Sequence, residues 1–294
     1  MAYGVQSINS NTGNIKYTPC ISDADVQTGI TQQVETTFFT DFIQVPFSAT
    51  SPASGCVLYG TAANGGTHTV NSTTDRDLFG ANGCIGVLRC STGTTNNTTG
   101  YAGFATAAVL PGFITPTTGF TTKYEIEGNL RTEGTTFSAT VPGFIRFGFS
   151  SAMTNATPDD GIFFEYSRTN SAGNTAWEIR YYNDTATTTV STGVTLGTSK
   201  TYQFYLYVNK DSSGNYTTQY RVKNITDSTD TGLQTASPSG GNAAYPSDTA
   251  DVMQFGGTLT KQTTTVTTPI GILFDYFAAK YQLALTRTYI NLFG

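Results

Sequence analysis

Two glutamates two residues apart, in the run Tyr124-Glu125-Ile126-Glu127, are the carboxylates best placed to do chemistry in this sequence. On a β-strand successive side chains alternate faces, so Glu125 and Glu127 project to the same side. A carboxyl pair about 5.5 Å apart is what a retaining glycosidase uses as acid/base and nucleophile. The plainer reading is a pair of exposed strand carboxylates facing Arg146 or Arg131 on a neighbouring strand, and that reading is the expectation.

Two further acidic sets could offer oxygens to Ca²⁺: Asp159 and Asp160 with Glu165, and Asp75 with Asp77 in the stretch TTDRDLFG. Neither supplies the six to eight ligands that ion takes. The run from Asn209 to Gly214 has the look of a calcium loop, but Tyr220 stands where the closing glutamate belongs, so a hairpin turn is expected there. No metal or other cofactor is therefore expected, with Ca²⁺ the one ion these groups would suit.

In AWEIRYY, alternation sends Trp177, Ile179 and Tyr181 to one face and Glu178, Arg180 and Tyr182 to the other. The first set reads as core. Aromatic rings also stack on sugar rings, so a glycan site would draw on Tyr182, Trp177 and Arg180 together with Glu125 and Glu127. His68 is the single histidine and lies in a Gly/Thr-rich stretch with no nucleophile motif near it. The four cysteines, Cys20, Cys56, Cys84 and Cys90, form no C-x-x-C pair. Cys84 and Cys90 fall on one strand face too far apart to bond each other, so buried free thiols are expected, with a Cys56–Cys84 bridge the alternative. Sequons at Asn71, Asn97 and Asn155 arise readily in a chain so rich in Asn and Thr.

The elements that must carry these residues are short and alternating. GFIRFGFSSA, GIFFEYSRT, KTYQFYLYVN and TTQYRVKN each place apolar residues at every second position, fenced by Gly, Thr, Ser and Asn. No helical stripe of comparable strength occurs. Strand candidates recur every ten to fifteen residues from about residue 35, which points to an all-β antiparallel sandwich or jelly roll. Residues 1–34 are polar and read as an N-terminal arm or peripheral segment, which if extended reaches on the order of 100 Å; residues 35–294 read as the sandwich domain. Residues 61–83 read as a polar loop, residues 227–248 as the longest polar loop after residue 200, and the end of the chain as two strands, IGILFDYFAAKYQ and LALTRTYINLF.

Composition limits the partners. Only 12% of the 294 residues are charged, 13% are aromatic, and the net charge is −5. Lys and Arg are scattered singly, and counterion release needs them clustered, so nucleic acid is not an expected partner. No apolar run approaches the roughly 18 residues of a membrane span, so no membrane insertion is expected. The opening MAYGVQSINSN has neither the basic nor the apolar region of a signal peptide.

The order of segments resembles the concanavalin A-like lectin/glucanase jelly-roll module found in tailed-phage virion proteins. The residues that carry the resemblance are Phe39 to Phe42, Gly86 to Gly93, Tyr124 to Glu127, Ile145 to Phe149, Asp160 to Tyr166, Trp177, Lys200 to Phe204 and Phe274 to Phe277. It implies a two-sheet sandwich of about a dozen strands on the surface of a phage particle, in a fibre, baseplate or capsid-decorating protein. Virion proteins are then the expected partners, in a homo-oligomer, most simply a trimer, with host polysaccharide as a further partner. The related glucanases carry a Glu-x-Asp-x-x-Glu strand. Here that strand lacks the middle Asp and the final Glu, so a non-enzymatic structural protein is expected, with a glycan-binding module as the alternative and a hydrolase or lyase behind both.

Overall fold

The computed structural model describes residues 8–10, 13–15, 30–40, 58–70, 86–94, 100–106, 110–111 and, apart from the short stretches 135–136, 139–140, 155–156, 170–171, 174–175, 185, 247–251 and 263–266, residues 122–287. In chain order the strands are β1 (Ile8–Ser10), β2 (Gly13–Ile15), β3 (Ile30–Thr40), β4 (Leu58–Ala63), β5 (Thr67–Val70), β6 (Leu88–Ser91), β7 (Tyr101–Thr106), β8 (Leu110–Pro111), β9 (Thr122–Thr132) and β10 (Gly143–Ser150). They continue as β11 (Asp160–Thr169), β12 (Ala172–Gly173), β13 (Ala176–Asn183), β14 (Ala186–Thr195), β15 (Thr201–Lys210), β16 (Tyr216–Asn224), β17 (Thr229–Asp230), β18 (Gln234–Ala236), β19 (Val252–Lys261) and β20 (Gly271–Arg287).

β1 and β2 pair as a separate two-stranded ribbon; the other strands form two antiparallel sheets stacked as a sandwich. The first has the order β17-β16-β15-β9-β20-β6-β5, with β18 on β16 and β3 on β20. The second runs β14-β13-β11-β10-β19-β7-β4, with β12 on β11 and β8 on β19. The expected all-β sandwich is thus the observed one. Among the described residues the one helical segment is a 3₁₀ turn at Gly241–Ala244, and no helix is long and apolar enough to cross a membrane.

Period-two alternation sets the inner faces. On β9, Tyr124, Ile126 and Leu130 point inward and are buried; on β15, Tyr202, Phe204, Leu206 and Val208 do the same. Trp177 fills the space between the sheets, wholly buried and 4.8 Å from the Phe204 ring. Phe147 crosses from the other sheet to Phe277 at 5.8 Å, edge to face, an arrangement aromatic quadrupoles favour. That crossing needs Gly128: a Cβ there would stand 2.6 Å from the Phe147 ring. The glycine that follows Glu127 therefore lets the strand carrying the glutamates lie flat on the core.

Several local expectations are met. Asp211 to Asn215 form the hairpin turn between β15 and β16, with Asp211 Oδ1 accepting from the backbone N–H groups of Ser213 and Asn215 and Gly214 at φ 87°. Cys90 is a buried free thiol whose pKa burial pushes well up, so it is chemically quiet; Cys20, Cys56 and Cys84 lie outside the described residues. Three expectations are corrected. Residues 61–70 of the expected 61–83 loop are no plain loop: the chain turns at Asn64-Gly65 and returns as β5, pairing with β6, while residues 71–83 lie outside the described residues. The C-terminal pair is one 17-residue strand, β20, because its register on β3 runs unbroken from Phe277 to Arg287. The stretch 227–248 holds β17, β18 and the 3₁₀ turn, and its Tyr245 plugs the core, stacking on Tyr216 at 4.4 Å and sharing a 2.9 Å hydrogen bond with the Thr218 hydroxyl.

Candidate functional site

The outward face of the first sheet is set by the other half of the same alternation. β9 presents Glu125, Glu127, Asn129 and Arg131; β15 presents Gln203, Tyr205 and Tyr207; β16 presents Arg221 and Lys223. β20 would present only Ala278 and Lys280 beside the glutamates, but its register slips between Phe274 and Phe277. Such a bulge re-aims side chains. Here it turns Tyr276 over β9, where its hydroxyl donates to Glu127 Oε1 at 2.5 Å.

Glu127 is the hub. Its Oε1 also accepts from Gln203 Nε2 at 3.1 Å, and Gln203 Nε2 lies 3.3 Å from the Tyr276 hydroxyl. With both donors on Oε1, Oε2 remains to accept from a ligand. A cavity of about 320 Å³ opens over this carboxylate, lined by Glu127, Gln203, Tyr205, Arg221, Lys223 and Leu233. Leu233 is 57% exposed, an apolar side chain left at the rim. Arg221 is clamped by Asp230 through two N–H···O contacts, at 2.9 and 2.5 Å, and the clamp holds the Asp230 carboxyl down at about 2. Lys223 lines the cavity and stands in register with Asp230.

The phenols are held neutral. Burial, with Glu125, Tyr207 and Glu127 adding to it, pushes Tyr205 up to about 12. Burial and the bond to Glu127 raise Tyr276 far above the usual tyrosine range. Tyr276 is therefore held as a hydrogen-bond donor to Glu127. Glu127 is the one carboxylate among the described residues lining the cavity, while Glu125 sits in register with Tyr207 and Lys280. What the arrangement can do is hold a ring bearing hydroxyls, with a carboxylate acceptor, an amide, a phenol and an ammonium around it and an apolar edge beside it.

The expected site residues are split by the fold. Glu125 and Glu127 do share a face, as alternation requires, but neither meets Arg146 or Arg131. Arg131 donates to the Thr201 hydroxyl at 3.0 Å, and Arg146 belongs to the other sheet, 2.8 Å from Glu165. Arg180 and Tyr182 lie on the outer face of that second sheet, Arg180 at 2.8 Å from Glu165 and Tyr182 stacked 5.5 Å from Phe163. Trp177 is wholly buried between the sheets and so cannot stack on a sugar outside them. The five residues thus occupy three layers and form no single site. For metal, Asp159 is exposed, Asp160 is buried and Glu165 is committed to two arginines; among the described residues no three His, Cys, Asp or Glu side chains gather to hold an ion. Asp75 and Asp77 lie outside the described residues. His68 stands on β5 in register with Cys90, its pKa lowered by burial.

Sequence reasoning passed over Gln203, Tyr205, Tyr207, Arg221 and Lys223, although the alternation in KTYQFYLYVN and TTQYRVKN already separated them from the core. Tyr276 had no such signal, since only the bulge brings it to Glu127.

No protein-family profile matches the sequence, and no curated protein does. Among solved structures the chain is similar to peanut lectin in complex with a nonapeptide, at 11% identity and TM-score 0.48, over 86% of this chain and 99% of that one. It is similar to the endo-β-1,4-glucuronan lyase of the fungus Trichoderma reesei at 14% identity and TM-score 0.49, over 82% and 94% of the two chains. Lectin II from Ulex europaeus shows 11% identity and TM-score 0.48, over 83% and 97%. With TM-scores below 0.5 these likenesses carry no weight of their own; the sandwich is established by the strand pairing.

Proposed function

We propose that this protein is a non-enzymatic saccharide-binding module whose site is the cavity over Glu127. The observation that supports it most is the one-sided engagement of that carboxylate: Tyr276 and Gln203 both bond Oε1, leaving Oε2 as a fixed acceptor for ligand hydroxyls. Tyr205 and Leu233 supply apolar surface beside it, and aromatic rings next to fixed polar groups are how sugars are held. The test is a glycan array probed with wild type, Glu127→Gln and Tyr205→Ala. Wild type should bind a subset of glycans and return them uncut, and both variants should lose that binding by about tenfold or more with an unchanged melting temperature. Full binding by both variants, or cleavage of the bound glycan, contradicts the proposal.

The proposal extends to location, supported by the segment order and low charge of the sequence alone: a homo-oligomeric appendage on the surface of a phage particle, where the bound glycan is host polysaccharide. Co-purification of the protein with intact particles at stoichiometric copy number tests this, and particles lacking it contradict it.

A further inference from the structure

Four residues along β9 from Glu127, a second cavity of about 330 Å³ opens on the first sheet, lined by Arg89, Arg131, Thr132, Glu133, Gly134, Ser199, Pro269 and Gly271. Arg131 has the same parity as Glu127, and its bond to the outward Thr201 hydroxyl confirms that both side chains rise from one face. At the strand rise of about 3.3 Å per residue the two positions are about 13 Å apart. One sugar ring cannot bridge that gap; a short oligosaccharide can. Between them lie Asn129 and Asp275, joined at 3.2 Å, a polar floor.

Each cavity is lined by two cations and one carboxylate, but in the second the carboxylate is ion-paired. Glu133 is spoken for by Arg89, through Nε at 2.9 Å and Nη2 at 3.1 Å. Arg131 spends one N–H on Thr201 and has no carboxylate partner among the described residues, while the cavity's one carboxylate, Glu133, pairs with Arg89. Guanidinium groups bind planar oxyanions through paired N–H donors.

Resting on the saccharide reading above, we propose that the ligand is an acidic oligosaccharide laid along β9, with hydroxyls at Glu127 and a ring carboxylate at Arg131. The recognised chemistry is a chain of uronic-acid sugars and not a single neutral one.

Calorimetric titration of the full chain with uronic-acid oligomers of increasing length, and with the same oligomers after carboxyl reduction, tests this. We expect affinity to rise with length, carboxyl reduction to weaken binding about tenfold, and Arg131→Gln to bring the acidic oligomers down to the level of the reduced ones without lowering the melting temperature. Arg131→Lys should restore part of the loss, and added salt should weaken the acidic oligomers more than the reduced ones. Equal binding of acidic and reduced oligomers, or full binding by Arg131→Gln, overturns the acidic ligand and leaves the site at Glu127 standing. Failure to bind any oligomer, acidic or reduced, overturns both.

Discussion

The two outer faces of the sandwich carry the same kinds of residues and behave in opposite ways. On the second sheet, Phe144, Arg146, Phe163 and Glu165 point away from the core, and yet each is 5% exposed or less. Arg146 lies over the Phe144 ring at 4.0 Å and bonds Glu165, which also takes Arg180. On the first sheet, Glu125, Glu127, Gln203, Tyr205 and Tyr207 are half-buried and Arg221 is exposed, and the open space above them is a cavity. On the first face Arg221 and Arg89 are paired with Asp230 and Glu133, while Glu127 and Arg131 bond only neutral side chains among the described residues; on the second the charges are consumed by each other. The lesson is that alternation separates inside from outside but does not say which outside remains open.

The contrast predicts different costs for removing a carboxylate. Glu165→Leu strips the shared partner from two guanidinium groups in a buried setting and should lower stability by about 3–5 kcal/mol in denaturant unfolding. Glu127→Gln, which keeps the shape and faces solvent, should change stability by less than about 1 kcal/mol. If the two variants unfold alike, the second face is not the sealed one and the comparison fails.

How much of this was legible follows the range of each interaction. Local alternation placed Trp177 in the core and Glu125 and Glu127 on one face, and it marked the turn at Asp211 to Asn215. It could not place Tyr276, because a register slip against β9 is a property of two strands far apart in sequence. It set Arg180 and Tyr182 beside the glutamates as candidates, since nothing local assigns β9 and β13 to opposite sheets. It also missed β5 and the Tyr245 plug, whose sequences look like loop until β6 and Thr218 supply their partners. Tyr205 and Tyr207 were readable all along: once the inward set of β15 is fixed, the remaining aromatics must face out.

The measurement that bears most directly on the open first face is hydroxyl-radical footprinting of the protein with and without a saccharide that it binds. The account predicts protection at Tyr205 and Tyr276 with no change at Tyr182. Protection at Tyr182 with Tyr205 and Tyr276 unaltered would put the ligand on the opposite sheet and contradict it.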